Sequence, residues 1–126
     1  MKSTKGFTLV ELVIVIVIVG ILSVVAVPVY KGYTKKAIAT EGKALLGAIN
    51  TSQKVYFAEW AMFVTGAQSA VLDVDAASNK YFKSINLNGD GNGFTAITPA
   101  SGNVNGIVLT LTGSKSGESK IIESGL

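Results

Sequence analysis

The sequence predicts an α+β chain. One long N-terminal helix spans a membrane with its first half, and its amphipathic second half packs on a small antiparallel β-sheet. Three observations carry that prediction. From Leu12 to Val27 only Gly20 and Ser23 are not aliphatic. From Ile38 to Phe63, apolar and aromatic residues recur at three- and four-residue steps. Beyond Gly66, short alternating runs are separated by glycine-rich turns.

The first element is the apolar run. With Phe7 to Val10 in front of it, the span reaches about 20 residues, enough for a helix to cross ~30 Å of hydrocarbon. Glu11 interrupts it once. A lone carboxylate inside such a span is costly and usually marks function. Helical pattern then continues without a strong stop to Thr65-Gly66, where Gly66 suits the left-handed position after a helix. That is about 60 residues, or about 90 Å at ~1.5 Å per residue. A helix of that length is unusual in a globular domain. It makes sense if the first half lies in lipid or in a bundle of identical helices. Pro28 removes a backbone donor and crowds the carbonyl of Val24, so a kink is expected there. Gly20, Gly32, Gly42 and Gly47 each lower local helicity by ~1 kcal/mol relative to Ala.

The second half of the helix carries Ile38, Leu45, Ile49, Ser52, Tyr56, Trp60 and Phe63 on one face. Packing against a sheet is the preferred account of that stripe. A stacked aromatic path through Phe7, Tyr30, Tyr33, Tyr56, Phe57, Trp60 and Phe63 is the sharper alternative. Ala67 to Asn79 reads as a surface loop with one short turn. Tyr81 to Leu87 reads as a strand or an irregular crossing, and Asn88 to Gly93 as a turn cluster. Phe94–Thr98, Gly106–Thr112 and Lys120–Glu123 read as strands, with Gly113–Gly117 as a tight connection. A sheet so small must cover the helix stripe to be stable. The expected divisions are therefore 1–6, 7–29, 30–66 and 67–126.

Composition narrows the chemistry. The 126 residues contain no Cys, His or Arg. A Ser-His or Cys-His nucleophile is therefore excluded, and no disulfide holds the small domain. No catalytic arrangement emerges, and the chain is expected not to be an enzyme. The net charge is +3, but from Ala37 onward six Lys face seven acids. That near-neutral part carries no basic footprint for nucleic acid. Lys2 and Lys5 precede the apolar span, and Lys31, Lys35 and Lys36 follow it, so the charges do not favour a cytoplasmic N-terminus.

Lys5-Gly6-Phe7-Thr8-Leu9-Val10-Glu11, followed by the Val/Ile/Leu run, resembles the N-terminus of type IV pilin precursors and type II secretion pseudopilins. The match covers Met1 to about Thr40 and is only architectural beyond. The resemblance implies a leader over residues 1–6 and cleavage by a prepilin peptidase between Gly6 and Phe7. It implies N-methylation of Phe7 and a docking role for Glu11, which would pair with the Phe7 ammonium of a neighbouring subunit. A pair with its own Phe7 is the plainer alternative. Gly20 and Pro28 would bound a stretch that loosens on assembly.

The expected life history follows from that family. The precursor sits in the bacterial inner membrane with Met1 in the cytoplasm. An assembly platform and its motor then pack it with copies of itself into an extracellular pilus, the preferred reading. A periplasmic pseudopilus is the alternative. From another class, a single-pass anchored binding module is the alternative. A secretory signal cut after Ala26 fits less well, since the run is too long and Glu11 interrupts it; an ordinary signal anchor, with Glu11 tolerated near the bilayer edge, is the other plain alternative.

No cofactor is expected, with one open point. Asn88, Asp90 and Asn92 mimic the opening of a calcium loop, with Gly93 at its sixth place. Pro99 stands where a full loop of that kind needs a bidentate Glu. A plain glycine turn is the preferred reading. Pseudopilins often hold calcium in a C-terminal loop, which keeps a site with Asp73 and Asp75 as the alternative.

Overall fold

The computed structural model describes residues 6–104 and 106–126. A single α-helix, α1, runs Leu9–Trp60. Short 3-10 turns cover Gly66–Leu72 and Gly102–Val104. Four strands lie after the first of these turns, β1 Asn86–Gly89 and β2 Gly93–Pro99 before the second turn, β3 Val108–Ser114 and β4 Ser119–Ser124 after it. They form one antiparallel sheet in the order β1-β2-β3-β4. The α+β architecture predicted from the sequence is the one observed. The chain divides into two compact units, Met1–Thr34 and Lys35–Leu126.

In the first unit every described residue is exposed. The helix passes through Gly20 and Pro28 without a break in its assignment. Polar side chains there satisfy themselves locally. Ser23 Oγ donates to Val19 O at 2.7 Å, and Thr34 Oγ1 to Tyr30 O at 2.9 Å. Such back-bonding pairs these two hydroxyls within the helix, as an apolar surrounding requires.

The second unit has a core. From α1 it takes Ile38, Ala39, Leu45, Leu46 and Ile49, and from the sheet Phe94, Ala96, Leu109 and Leu111. Buried and less buried residues alternate along β2 and β3, as one covered face requires. Gly42 is the close-approach point. A Cβ there would run into the Leu109 side chain and stand 2.7 Å from the Phe82 ring. Its value is therefore contact, where propensity alone marks it as a weakness. Gly113 works the same way beneath the Phe94 ring.

Helix α1 stops at Trp60, short of the expected Thr65-Gly66. Ala61 adopts a left-handed backbone, φ 56°, and its N–H donates to Phe57 O at 2.8 Å. Gln53 explains the early turn. Its side chain is fully buried, donating to Val64 O at 2.9 Å and accepting from Val64 N at 2.8 Å. A buried amide must be paired at both ends, and the returning segment supplies both groups. The helix face is shifted accordingly. Gln53 and Leu46 are buried, Ser52 is only half-buried and Trp60 is 62% exposed. Phe63 is in the core, but from the returning segment. It stacks on Phe57 at 4.5 Å and meets Phe94 at 5.1 Å.

The hairpin tip also differs. Asn88 and Gly89, read as turn, pair in β1 with Thr95 and Phe94. Asp90 is the reason. Its Oδ1 accepts from Asn92 N at 2.7 Å and Gly93 N at 2.9 Å, and its N–H donates to Gly93 O at 2.9 Å. That cap closes the turn over three residues and releases Asn88-Gly89 to the strand. Tyr81–Ser84 lies outside any strand. At the other edge, β4 is tied to α1 by polar contacts. Lys43 pairs with Glu123, Asn50 Nδ2 donates to Ser119 Oγ at 3.1 Å, and Lys35 Nζ to Gly125 O at 3.5 Å.

Two glycines in one helix should respond oppositely to the same change. Gly47→Ala meets nothing within 4 Å and should stabilise by about 0.5–1 kcal/mol. Gly42→Ala gains the same propensity but displaces two buried side chains, a cost of about 1–3 kcal/mol, so it should destabilise. Urea unfolding of both variants gives the signs; equal signs would contradict the packing.

Candidate assembly site

The sequence-predicted site residues near the N-terminus lie at the start of α1. Gly6 is exposed, with nothing within 4 Å of where its Cβ would stand. Phe7 is 88% exposed. The expected cleavage position is thus sterically open among the described residues. Residues 1–5 of the expected leader lie outside the described residues.

Glu11 has a partner that the sequence reading did not name. Thr8 precedes the first helical residue, and the two side chains close on each other. Thr8 N donates to Glu11 Oε2 at 2.9 Å, and Thr8 Oγ1 donates to the same oxygen at 2.8 Å. In return Glu11 N donates to Thr8 Oγ1 at 3.3 Å. This is a capping box, two orphan amides of the helix start satisfied reciprocally. Its signal was in plain view as Thr8-Leu9-Val10-Glu11. The pattern was eclipsed by the apolar run around it.

In the uncut chain, where the Phe7 nitrogen is still an amide, the own-chain partner of Glu11 is Thr8. Both bonds fall on Oε2. Among the described residues Glu11 forms no ion pair. The box satisfies two amides of the helix start, and the exposed amides there favour a carboxylate. A charge in a membrane is costly.

Gly20 and Pro28 stand farther along the same exposed helical segment. The segment from Leu9 on is long and apolar enough to cross a membrane. Phe7, Tyr30 and Tyr33 stack on no other ring among the described residues. In the second unit Tyr56 stacks on Trp60 at 6.2 Å.

The candidate calcium residues are apart in function. Asp90 spends Oδ1 on its own turn, and the amides of Asn92 and then Gly93 hold its carboxyl below the usual range. Asp75 Oδ1 accepts from Ala77 N at 2.9 Å and Ser78 N at 3.2 Å. Asp73 occupies the left-handed cap after the Gly66–Leu72 turn, φ 50°. Asn88 is exposed in β1. Among the described residues no three carboxylates gather.

Comparison with known proteins agrees with this geometry. Residues 1–27 match the family described as the prokaryotic N-terminal methylation motif. A fimbrial protein of Pseudomonas aeruginosa is 32% identical over 111 residues, covering 88% of this chain and 70% of the relative. A type IV major pilin protein of Neisseria gonorrhoeae is 37% identical over 102 residues, covering 80% and 59%. A fimbrial protein of Moraxella nonliquefaciens is 39% identical over 83 residues, covering 66% and 54%. The chain thus spans a little over half the length of several curated relatives it matches. No solved structure matches. With its methylation motif, its capped apolar helix and a relative aligned over most of both chains, this protein belongs to the type IV pilin family.

Proposed function

We propose that this chain is a structural subunit of a type IV pilus. The precursor is held in the inner membrane by the apolar part of α1. A prepilin peptidase cuts between Gly6 and Phe7 and methylates the new amine on Phe7. An assembly platform and motor then transfer the subunit into a filament of its own copies. The observation that carries this reading is an apolar helical segment with no cover among the described residues, opening on an acid held at its first turn. The relatives' names, fimbrial protein and type IV major pilin, favour the pilus over the secretion pseudopilus.

The mechanism follows from the costs. Lipid tails and neighbouring helices are equally apolar, so leaving the bilayer brings no hydrophobic gain; close packing and polar contacts drive association. Glu11 supplies the polar contact. Thr8 fixes its carboxylate at the helix start, so little side-chain entropy remains to be lost on docking. Cleavage at Gly6 converts the Phe7 amide nitrogen into an ammonium, the countercharge that a neighbour's Glu11 lacks. Trimming thereby switches the subunit from storage to assembly.

Glu11→Gln separates capping from docking, because Gln also closes a capping box. The variant should insert and fold normally yet form no filaments by electron microscopy of sheared surface material. Wild-type filament numbers from it would rule out charge pairing. Thr8→Ala keeps the charge and loses about 1 kcal/mol of cap, so it should lower filament yield without abolishing it. Gly6→Val places a branched side chain beside the scissile bond, and intact-mass measurement should find residues 1–6 still attached.

A further inference from the structure

The β1–β2 tip holds a chemistry that filament assembly does not use. Asn88-Gly89 and Asn92-Gly93 each put an amide side chain ahead of a glycine. In such a dipeptide the glycine nitrogen, with no Cβ to hinder it, can close a five-membered ring on the Asn Cγ. The two dipeptides are held differently. Asn88 and Gly89 are paired in β1 with Thr95 and Phe94, and Gly89 is closed in by Val64 O and Phe63. Ring closure there requires rotation that breaks the strand. Asn92 is exposed in the turn, outside any strand, while Gly93 opens β2 opposite Ser114, where a Cβ would stand 2.7 Å from Gly113 O.

Four hydrogen bonds restrain Asn92-Gly93, three of them with Asp90. Asn92 O accepts from Lys115 N at 2.7 Å. The Gly93 N–H, on the nitrogen that would attack, donates to Asp90 Oδ1 at 2.9 Å. A carboxylate on that hydrogen opposes its removal and holds the nitrogen away from Cγ. We propose that Asn92-Gly93 is a self-modifying site, kept closed by Asp90, at which Asn92 converts to aspartate or isoaspartate.

The step balances without an oxidant or reductant. The Gly93 nitrogen gives up its proton to water and attacks Asn92 Cγ. A C–N bond forms, the Cγ–Nδ2 bond breaks, and the amide leaves as ammonia. Water then opens the succinimide at either carbonyl. Hydrolysis at one yields aspartate, at the other isoaspartate with an extra methylene in the main chain. Either product places a second negative charge two residues from Asp90. An exposed tip would thus accumulate charge with age. Asp90 is here a positioning residue.

The test uses the full-length protein in detergent micelles at mildly alkaline pH, followed by intact mass and by peptide mapping of each Asn. Asn92 should gain the amide-to-acid mass before Asn88. Asp90→Ala should speed conversion at Asn92 about 3- to 10-fold, the ratio for one lost hydrogen bond, with Asn88 and circular dichroism unchanged. Asp90→Ser, whose hydroxyl accepts the same amides more weakly, should fall between. Wild type in urea should react at least as fast as Asp90→Ala. The proposal is overturned if Asn88 converts first, if folded and urea-denatured wild type react equally, or if Asp90→Ser matches Asp90→Ala at the wild-type rate.

Discussion

Between Leu12 and Val29 the described residues offer no cover for an apolar helix surface. Water cannot be its solvent, because each buried apolar Å² is favoured by ~25 cal/mol over exposure. The surroundings must be hydrocarbon or other helices of the same kind. From that constraint the rest follows. Backbone polar groups must be satisfied within the helix, and the hydroxyls of Ser23 and Thr34 fold back onto carbonyls one turn earlier. The one acid has to sit where the helix itself can stabilise it, at the first turn with Thr8. The second unit builds its own core from Ile38 onward.

The parts of this design that depend on near neighbours in sequence were legible before any coordinates. The apolar run, the position of Glu11 within it and the alternation of β2 and β3 all declare themselves within a few residues. Thr8 was equally local but was read for hydropathy rather than for capping. Gln53 was beyond reach for a different reason. Its partner Val64 lies past the helix end, and nothing short-range says that a glutamine amide will be buried against it. The early stop at Trp60 follows from that distant pairing, as does the left-handed Ala61, a residue that gives no warning of such a backbone.

The same distinction governs the hairpin tip. Asn and Gly favour turns by intrinsic conformation, so five of them around Asp90 read as one long turn. Tertiary geometry cuts it short, since the Asp90 carboxylate can cap only two amides and both lie immediately after it. Among the candidate site residues, those at the helix start could be named from sequence because the resemblance that names them depends on order along the chain. The carboxylates suggested for an ion were named by spacing, and the fold engages one oxygen of Asp75 and one of Asp90 with their own backbones.

Gly42 carries a last implication. With a bare α-carbon beneath Leu109 and Phe82, the helix is keyed in azimuth. Rolling it by one residue, ~100°, would swing Glu41 or Lys43 into a notch that cannot admit even a methyl group. Greasiness alone would tolerate several seatings of so short an amphipathic face; shape tolerates one. The sheet thereby acts as a lock that recognises an absence, and a mis-seated helix is rejected by collision before any attractive contact can rescue it.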